Sequence, residues 1–282
     1  MKNFIILTPV YNDWDNLSKI LGKINIIAAK YDYKFKILVV NDKSDIKSKI
    51  RFKKTKNIIG IQIFNLPRNV GSQRAIALGL RKINNLKGNK KNDIIIMDAD
   101  GQDDPKILKN LIDKSKKSIY DITVVERLNR DEPNWFRLLY IFHKTILFLF
   151  TGKHIRFGNF SLIKFNKLKS LINTSDLWAA YPAAITNNLS KIQKIKSDRS
   201  PRFSGETKMN LKKLFLHSSR VFSVFRNRIL ITSFIYSFLI MTFFKDYALP
   251  LISVMIVCNV YNFTIHLNNL KEFKKSYKIS VK

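Results

Sequence analysis

Residues 92–102, Asn-Asp-Ile-Ile-Ile-Met-Asp-Ala-Asp-Gly-Gln, decide the reading of this chain. Residues 94–97 form a short, uninterrupted apolar run, the pattern of a strand buried on both faces. The run stops at two carboxylates, Asp98 and Asp100, followed by Gly101 and Gln102. Two carboxylates at a strand end, two residues apart, can point into one cleft, where they repel each other. A hard divalent cation relieves that repulsion and can bridge to a diphosphate, with Gln102 as a neutral oxygen ligand. The plainer alternative is an acidic turn that caps the next helix. Asp103 and Asp104 can cap a helix beginning near Pro105 unaided, which leaves Asp98 and Asp100 without that explanation.

Outward from this strand the same alternation repeats. Apolar runs at residues 4–10, 35–40, 58–64 and 122–125 read as further strands. Between them, Leu17, Ile20, Leu21, Ile24, Ile27 and Ala28 recur at helical spacing, with Asp13 or Asp15 to cap the start. Ala75, Ile76, Gly79, Leu80 and Ile83 mark a second helix, and Ile107, Leu108, Leu111 and Ile112 a third. Strands alternating with helices imply an α/β fold with a mostly parallel sheet covered on both faces. Ligands of such sheets bind at the carboxyl ends of the strands. Three polar clusters fall there, at residues 8–13, 41–44 and 98–103.

Several residues at those ends suit a phosphorylated ligand. Asp42 can accept hydrogen bonds from a base or a ribose hydroxyl, or serve simply as a turn former. Asn69-Val-Gly71-Ser-Gln-Arg74 places a glycine and backbone amides at a helix N-terminus, a contact for an anion or a ribose, or a plain helix start. It is not a Walker loop, because the Gly-Lys-Ser/Thr ending is absent. Arg199-Ser-Pro-Arg202-Phe-Ser-Gly-Glu-Thr-Lys208 is a basic loop that suits closure over phosphates, although a solvated loop in a lysine-rich chain looks the same.

Composition bounds the partners. The 282 residues carry 51 Lys+Arg against 20 Asp+Glu, a net charge of +31, which favours phosphorylated substrates, an acidic membrane face or, as a membrane-tethered binding protein, nucleic acid, although lysine-rich composition on solvated faces accounts for much of it. The basic residues are scattered rather than gathered with aromatics on one module, so no nucleic acid is expected as a partner. The single cysteine, Cys258, excludes a disulfide framework or a Cys-based zinc site within one chain. Residues 1–13 read as a first strand, not a signal peptide. Two dense apolar runs follow late in the chain, 229–244 and 247–267, joined by Lys245-Asp246. Both are candidates for crossing a bilayer, as a tight hairpin. Arg220, Arg226 and Arg228 precede them, and Lys271, Lys274, Lys275, Lys278 and Lys282 follow. That basic bias puts both flanks, and with them the rest of the chain, on the cytoplasmic face of the cell inner membrane. Residues 135–150 read as a helix at a protein–lipid boundary or in the core.

Thr8-Pro-Val-Tyr-Asn-Asp13, Val39-Val-Asn-Asp42, Asn69-Val-Gly71, Asp98-Ala-Asp-Gly-Gln102 and Arg202-Phe-Ser-Gly-Glu-Thr-Lys208 stand in the order seen in family 2 glycosyltransferases of the GT-A fold. The chain most resembles the dolichyl-phosphate mannose synthase-like branch, which includes bacterial polyprenyl-phosphate glycosyltransferases with a C-terminal two-helix hairpin. The resemblance implies a nucleotide-diphosphate sugar donor held by Pro9, Tyr11, Asp13, Asp42, Asn69, Gly71, Asp98, Ala99 and Asp100. It implies Mg²⁺ or Mn²⁺ on Asp100 and Gln102. It also implies an acceptor phosphate held by Arg127, Arg199, Arg202 and Lys208, and allows a homo-oligomer. Asp98, Asp100, Arg127, Arg202 and Lys208 are then the catalytic set. The acceptor is a polyprenyl phosphate or, alternatively, a saccharide hydroxyl. A phosphate acceptor is already ionised and needs no general base, and His143, His154, His217 and His266 lie outside the carboxylate clusters.

The chain departs from relatives at three places. Asp13 stands where Glu is frequent. Val125-Glu126 replaces the usual Gly-Ser before Arg127. Phe157-Gly-Asn-Phe-Ser161 replaces an Asp-Phe-Arg or Gly-Phe-Arg element on the acceptor side. The expected partition is a catalytic domain at 1–165, an acceptor-side segment with the basic loop and an interfacial helix at 166–228, a transmembrane hairpin at 229–268, and a basic cytoplasmic tail at 269–282.

Overall fold

The alternating pattern folds into one seven-stranded sheet. A computed structural model of the chain describes residues 3–47, 55–86, 92–116, 119–127, 134–198, 200–203 and 211–280. The strands are β1 (Asn3–Val10), β2 (Lys34–Asn41), β3 (Ile58–Asn65), β4 (Asp93–Ile96), β5 (Ile122–Arg127), β6 (Phe157–Ile163) and β7 (Ile192–Ser197). Between them run helices α1 (Trp14–Lys30), α2 (Ser72–Asn85), α3 (Leu108–Ser115), α4 (Asn134–Thr151), α5 (Phe165–Ile172), α6 (Ser175–Ala179) and α7 (Tyr181–Asn188). Three more, α8 (Leu211–Val224), α9 (Arg226–Phe243) and α10 (Ala248–Ser280), follow the sheet. The strand order is β3-β2-β1-β4-β6-β5-β7, parallel except where β6 runs antiparallel to both β4 and β5.

The alternation of side chains along β1 explains why both faces are covered. Ile5 and Leu7 pack against α2, α5 and α7, whereas Phe4 and Ile6 pack against α1 and α3. Burying both sets requires helices on both faces. Gly79 lets α2 approach closely, since a Cβ there would lie 2.4 Å from Leu7 Cδ1 and 2.8 Å from Val40 Cγ2. The order reverses at β1 and β4, whose carboxyl ends border the crevice where ligands of open α/β sheets bind.

The sheet does not stop at residue 165. β7 pairs with β5, and α5–α7 help cover one face, so residues 166–197 belong to the body rather than to a separate acceptor-side segment. β7 is mostly polar at the sheet edge, where Lys194 and Lys196 discourage pairing with another chain.

The late helices differ from the expected hairpin in two respects. Among the described residues, one helix is by itself long and apolar enough to cross a membrane, at Lys245–Tyr277, and almost all of its apolar stretch is exposed. α9 reaches that standard only together with α8, from which it is bent by 82°. α9 does turn back onto α10 through residues 244–247, and Asn259 Nδ2 donates to Ser233 Oγ at 2.9 Å between them. Second, there is no boundary at 268/269. The helix continues to Ser280, and its last turns dock on α2, with Phe273 and Ser276 buried.

Candidate active site

The carboxyl ends of β1, β2 and β4 carry the polar clusters, and hydrogen bonds tie them together. Asn12 sits with φ +58°, and its Oδ1 accepts from the amides of Asp45 at 2.8 Å and Ile46 at 3.2 Å. Tyr11 donates its hydroxyl to Asp45 Oδ2 at 2.9 Å, so the loops after β1 and β2 are zipped together. Pro9 lies in β1 opposite Val40, and Ala99 is buried on the α1/α3 side of the sheet.

Asp42 is 3% exposed, and its carboxylate is already engaged. Oδ1 accepts from Val70 N at 2.7 Å and Oδ2 from Gly71 N at 2.8 Å, while Asn69 Nδ2 donates to the Asp42 carbonyl at 3.1 Å. Burial pushes the Asp42 carboxyl above its usual range, and the two amides pull it back. Of the two roles expected for Asp42, contact to base or ribose and turn former, the structure displays the second: its side chain clamps the turn before α2. The Gly71 amide, expected to meet an anion, is spent on that clamp. Gly71 itself is required by its φ of +87°.

The Asp98 region gathers more acid than base. Asp98 is bracketed by Asp100 and by Asp103, whose Oδ2 accepts from Asp98 N at 2.9 Å. Asp103 was expected to cap a helix. Only Asp104 does so, accepting from Lys106 N at 2.9 Å, while Asp103 is 3% exposed and turned into the site. Burial, Asp103 and Asp100 raise the Asp98 carboxyl, against the opposing influence of Arg127 and Asn159. Arg127 Nη2 lies 3.4 Å from Asp103 Oδ1. Burial opposes its charge, but the Asp103, Asp98 and Asp100 carboxylates prevail and raise it. Its guanidinium lies against Gly158, where a Cβ would come within 2.8 Å of Nη2. The arginine expected to face an acceptor phosphate is therefore turned toward the carboxylates.

Two residues not singled out as ligands complete this site. Asn159 Nδ2 donates to Asp98 Oδ1 at 3.1 Å, and Gln73 Nε2 donates to Asn159 Oδ1 at 2.9 Å. Gln73 Oε1 accepts from the backbone amide of Tyr181 at 2.7 Å. A backbone N–H can only donate, so it fixes the orientation of both side-chain amides in turn and leaves Asn159 presenting a donor to Asp98. This favours the ionised form of Asp98. Gln73 stands in the Asn69–Arg74 motif, and Asn159 in the Phe157–Ser161 departure, so both lay in segments already marked by the sequence.

The basic loop reaches the same place at its start. Arg202 Nη2 donates to Asp13 Oδ2 at 2.8 Å, and Nη1 lies 3.8 Å from Asp100 Oδ2. Phe203 N donates to the Asp100 carbonyl at 3.1 Å, and Asp100 Oδ1 accepts from Gln102 N at 3.0 Å. Gly101, at φ +91°, receives the Phe203 ring, which a Cβ would meet at 2.6 Å. Arg199 and Lys208 lie outside the described residues. Asp13, Asp98, Asp100, Asp103, Arg127 and Arg202 are thus brought together, and Asn69, Gly71 and Asp42 form a neighbouring clamp.

The three carboxylates Asp98, Asp100 and Asp103 are oxygen donors of the kind that suit a hard divalent ion. Among the described residues no three Asp, Glu, His or Cys side chains converge into a cage of their own.

The chain is 29% identical over 234 residues to an uncharacterized glycosyltransferase of Synechocystis sp., covering 74% of this chain and 65% of that one. It is 28% identical over 134 residues to the undecaprenyl-phosphate 4-deoxy-4-formamido-L-arabinose transferase of Edwardsiella ictaluri, covering 47% and 39%. The chain thus spans less than two thirds of the length of these relatives. Among solved structures, mannosyl-3-phosphoglycerate synthase of Rubrobacter xylanophilus superposes with a TM-score of 0.57 at 15% identity, over 81% of this chain and 74% of that one. Glucosyl-3-phosphoglycerate synthase of Mycobacterium tuberculosis, in complex with Mn²⁺ and uridine-diphosphate-glucose, superposes with 0.55 at 12%, over 81% and 79%. These likenesses establish the GT-A-like fold. The family model described as Glycosyl transferase family 2 matches residues 5–172, more than half of the chain, and the chain belongs to that family.

Proposed function

We propose that this chain transfers a sugar from a nucleotide-diphosphate sugar to a polyprenyl phosphate at the cytoplasmic face of a membrane. The observation that carries the acceptor assignment is α10. Its apolar half is exposed, while its last turns dock on the helix that bears Gln73 of the active site. An enzyme whose acceptor is a lipid gains by holding its site at the bilayer surface. The similarity to undecaprenyl-phosphate transferases supports the same reading.

In this reading, Asp100 and Gln102 would hold Mg²⁺ or Mn²⁺, which would supply charge neutralisation for the departing diphosphate. Asp98 stands beside that position, where the donor from Asn159 opposes the burial and like charges that raise its carboxyl. Arg202 is paired with Asp13 and close to Asp100, and would exchange those carboxylates for donor phosphates as the donor enters. Arg127, released from Asp103 by a modest side-chain rotation, would meet the acceptor phosphate. That phosphate is ionised at neutral pH and attacks the anomeric carbon without a general base. Tyr11, Asp13 and the turn clamped by Asp42 would line the nucleotide side.

The test uses membranes containing the full chain, undecaprenyl phosphate, Mg²⁺ or Mn²⁺, and a panel of radiolabelled UDP- and GDP-sugars. Label in the organic phase, lost with EDTA or with Asp100→Ala, is the expected result. Label that enters only an added saccharide would overturn the lipid-phosphate assignment in favour of a sugar-hydroxyl acceptor.

A further inference from the structure

A second cationic site lies away from the carboxylates, where α2, α8 and α10 meet. There a cleft of about 380 Å³ is lined by Arg74, Arg220, Lys271 and Lys275, with Glu272 as its one acidic residue. Leu216 and Ile265 supply an apolar wall. The volume lies within the range of small-ligand sites, roughly 300–1,000 Å³.

Among the described residues the charges in this cleft are not balanced. Glu272 pairs with Arg74 Nη2 and also accepts from Trp178 Nε1 at 3.3 Å. Arg74 lies over the Trp178 ring, 5.2 Å from its centroid, and its Nε–H is buried with no acceptor among the described residues. Burial and the neighbouring Arg220 charge lower the Arg74 guanidinium to about 10, with Glu272 opposing. Arg220 is lowered by burial as well. Two half-buried guanidiniums and two lysines thus share one carboxylate. Placing like charges together at the edge of a protein is costly unless an anion completes the set.

The position of the cleft points to the kind of anion. α10 is apolar and exposed through residues 248–264, and its docked turns begin just beyond, at the level of Ile265 and Asn269. α8 contributes Leu216 beside Arg220 and exposes Leu211 and Phe215. Cations directly above an apolar belt, with apolar side chains below them, match the order of a phospholipid from headgroup to acyl chain.

We propose that the cleft bounded by Arg74, Arg220, Lys271 and Lys275 binds the phosphodiester headgroup of an anionic membrane lipid, as a site separate from the transfer centre. The proposal rests on the reading that α10 crosses a bilayer. Such binding would hold α2 against α10, and α2 carries Gln73 of the active-site network one residue before Arg74.

The experiment uses the full chain purified in a neutral detergent. Short-chain phosphatidylglycerol, short-chain phosphatidylcholine and inorganic phosphate are titrated, and bound ligand is counted by native mass spectrometry. Phosphatidylglycerol is expected to bind at least tenfold more tightly than phosphatidylcholine. The R220Q/K271Q/K275Q variant is expected to lose at least tenfold of that affinity. K271Q/K275Q alters only exposed side chains, keeps the fold, and is expected to lose about threefold. Equal affinity for the two lipids, or unchanged binding by K271Q/K275Q, would overturn the proposal. Displacement of phosphatidylglycerol by equimolar inorganic phosphate would reassign the site to free phosphate and overturn the lipid headgroup. Flotation of the wild-type chain with pure phosphatidylcholine vesicles separates the two readings: failure to float refutes the membrane crossing itself, whereas flotation without headgroup selectivity refutes only this site.

Discussion

Replacing Asp98 by Asn should stabilise the protein while abolishing its activity. Asp98 is held among Asp103 and Asp100, and burial and those two charges raise its carboxyl. A group whose folded pKa lies above its unfolded value carries a penalty for ionisation in the fold. The penalty is absent below the unfolded pKa, near 4. It grows as pH rises through the folded pKa and is complete above it. An asparagine at this position never carries the penalty, yet keeps an oxygen to accept from Asn159, whose orientation is set by Gln73 and the Tyr181 amide. Every tenfold change in the ionisation equilibrium corresponds to about 1.4 kcal/mol. Part of that is offset, because Arg127 loses a nearby counter-charge. A net gain of about 1–2 kcal/mol follows, typical of relief at a strained functional site. For a chain of this size it amounts to about 2–4 °C in Tm per kcal/mol. The assay is thermal denaturation of both proteins in detergent with EDTA, at fixed scan rate, from pH 5 to 8.5. The Tm gap should be small at pH 5 and widen with pH, and transfer by the variant should fall at least a hundredfold. A gap that is constant with pH, or a less stable variant, would refute the electrostatic account of this site.

Three further outcomes are expected. Asp42→Asn leaves one of the Val70 and Gly71 amides facing an NH₂ group, and should cost about 2–4 kcal/mol by loss of charge-assisted hydrogen bonds, measured by chemical denaturation. Gly79→Ala forces a methyl into Leu7 and Val40, and should destabilise by about 1–3 kcal/mol through overpacking, with donor affinity unchanged if the body merely loosens. Gly158→Ala pushes the Arg127 guanidinium off its resting place, and should lower kcat more than KM for the nucleotide sugar, read from steady-state kinetics of lipid labelling.

The strands that were legible in the sequence are those buried on both faces. Continuous apolar runs such as residues 94–97 and 35–40 have few other interpretations, and their ends brought Asp98, Asp100 and Asp13 into view. β6 was hidden by its own function. Gly158 is small because Arg127 lies on it, and Asn159 is polar because Asp98 needs a donor, so neither has the profile of a strand residue. β7 was hidden by composition, since Lys194 and Lys196 on an edge strand look like any other lysines of a basic chain. Within the site, residue types were legible but partners were not. Nothing in spacing distinguishes an Asp42 open to ligand from one that clamps two amides, or an Asp103 that caps a helix from one that pairs with Arg127. These are settled by chain direction after the strand ends, which depends on the tertiary fold. The family resemblance pointed to the same strand ends that the fold brings together, and it assigns Asp42 and Arg127 ligand contacts where the structure shows them engaged with Val70, Gly71 and Asp103.

The uninterrupted course of α10 makes it a lever. At 1.5 Å per residue, its 33 residues form a rod about 50 Å long with no proline or glycine beyond its first turn to absorb bending. Arg81 is wedged between Phe273 and Tyr277, with Nη1 donating to Ser276 Oγ at 2.6 Å, and grips the far end of that rod from α2. A 10° change in the tilt of such a rod displaces its end by about 9 Å, and the tilt of a membrane helix answers to bilayer thickness. With α10 seated in lipid, the thickness of the membrane would set the height and pitch of the sugar-transfer cleft above it, and a thinner or thicker membrane would retune the enzyme without touching a single residue of its active site.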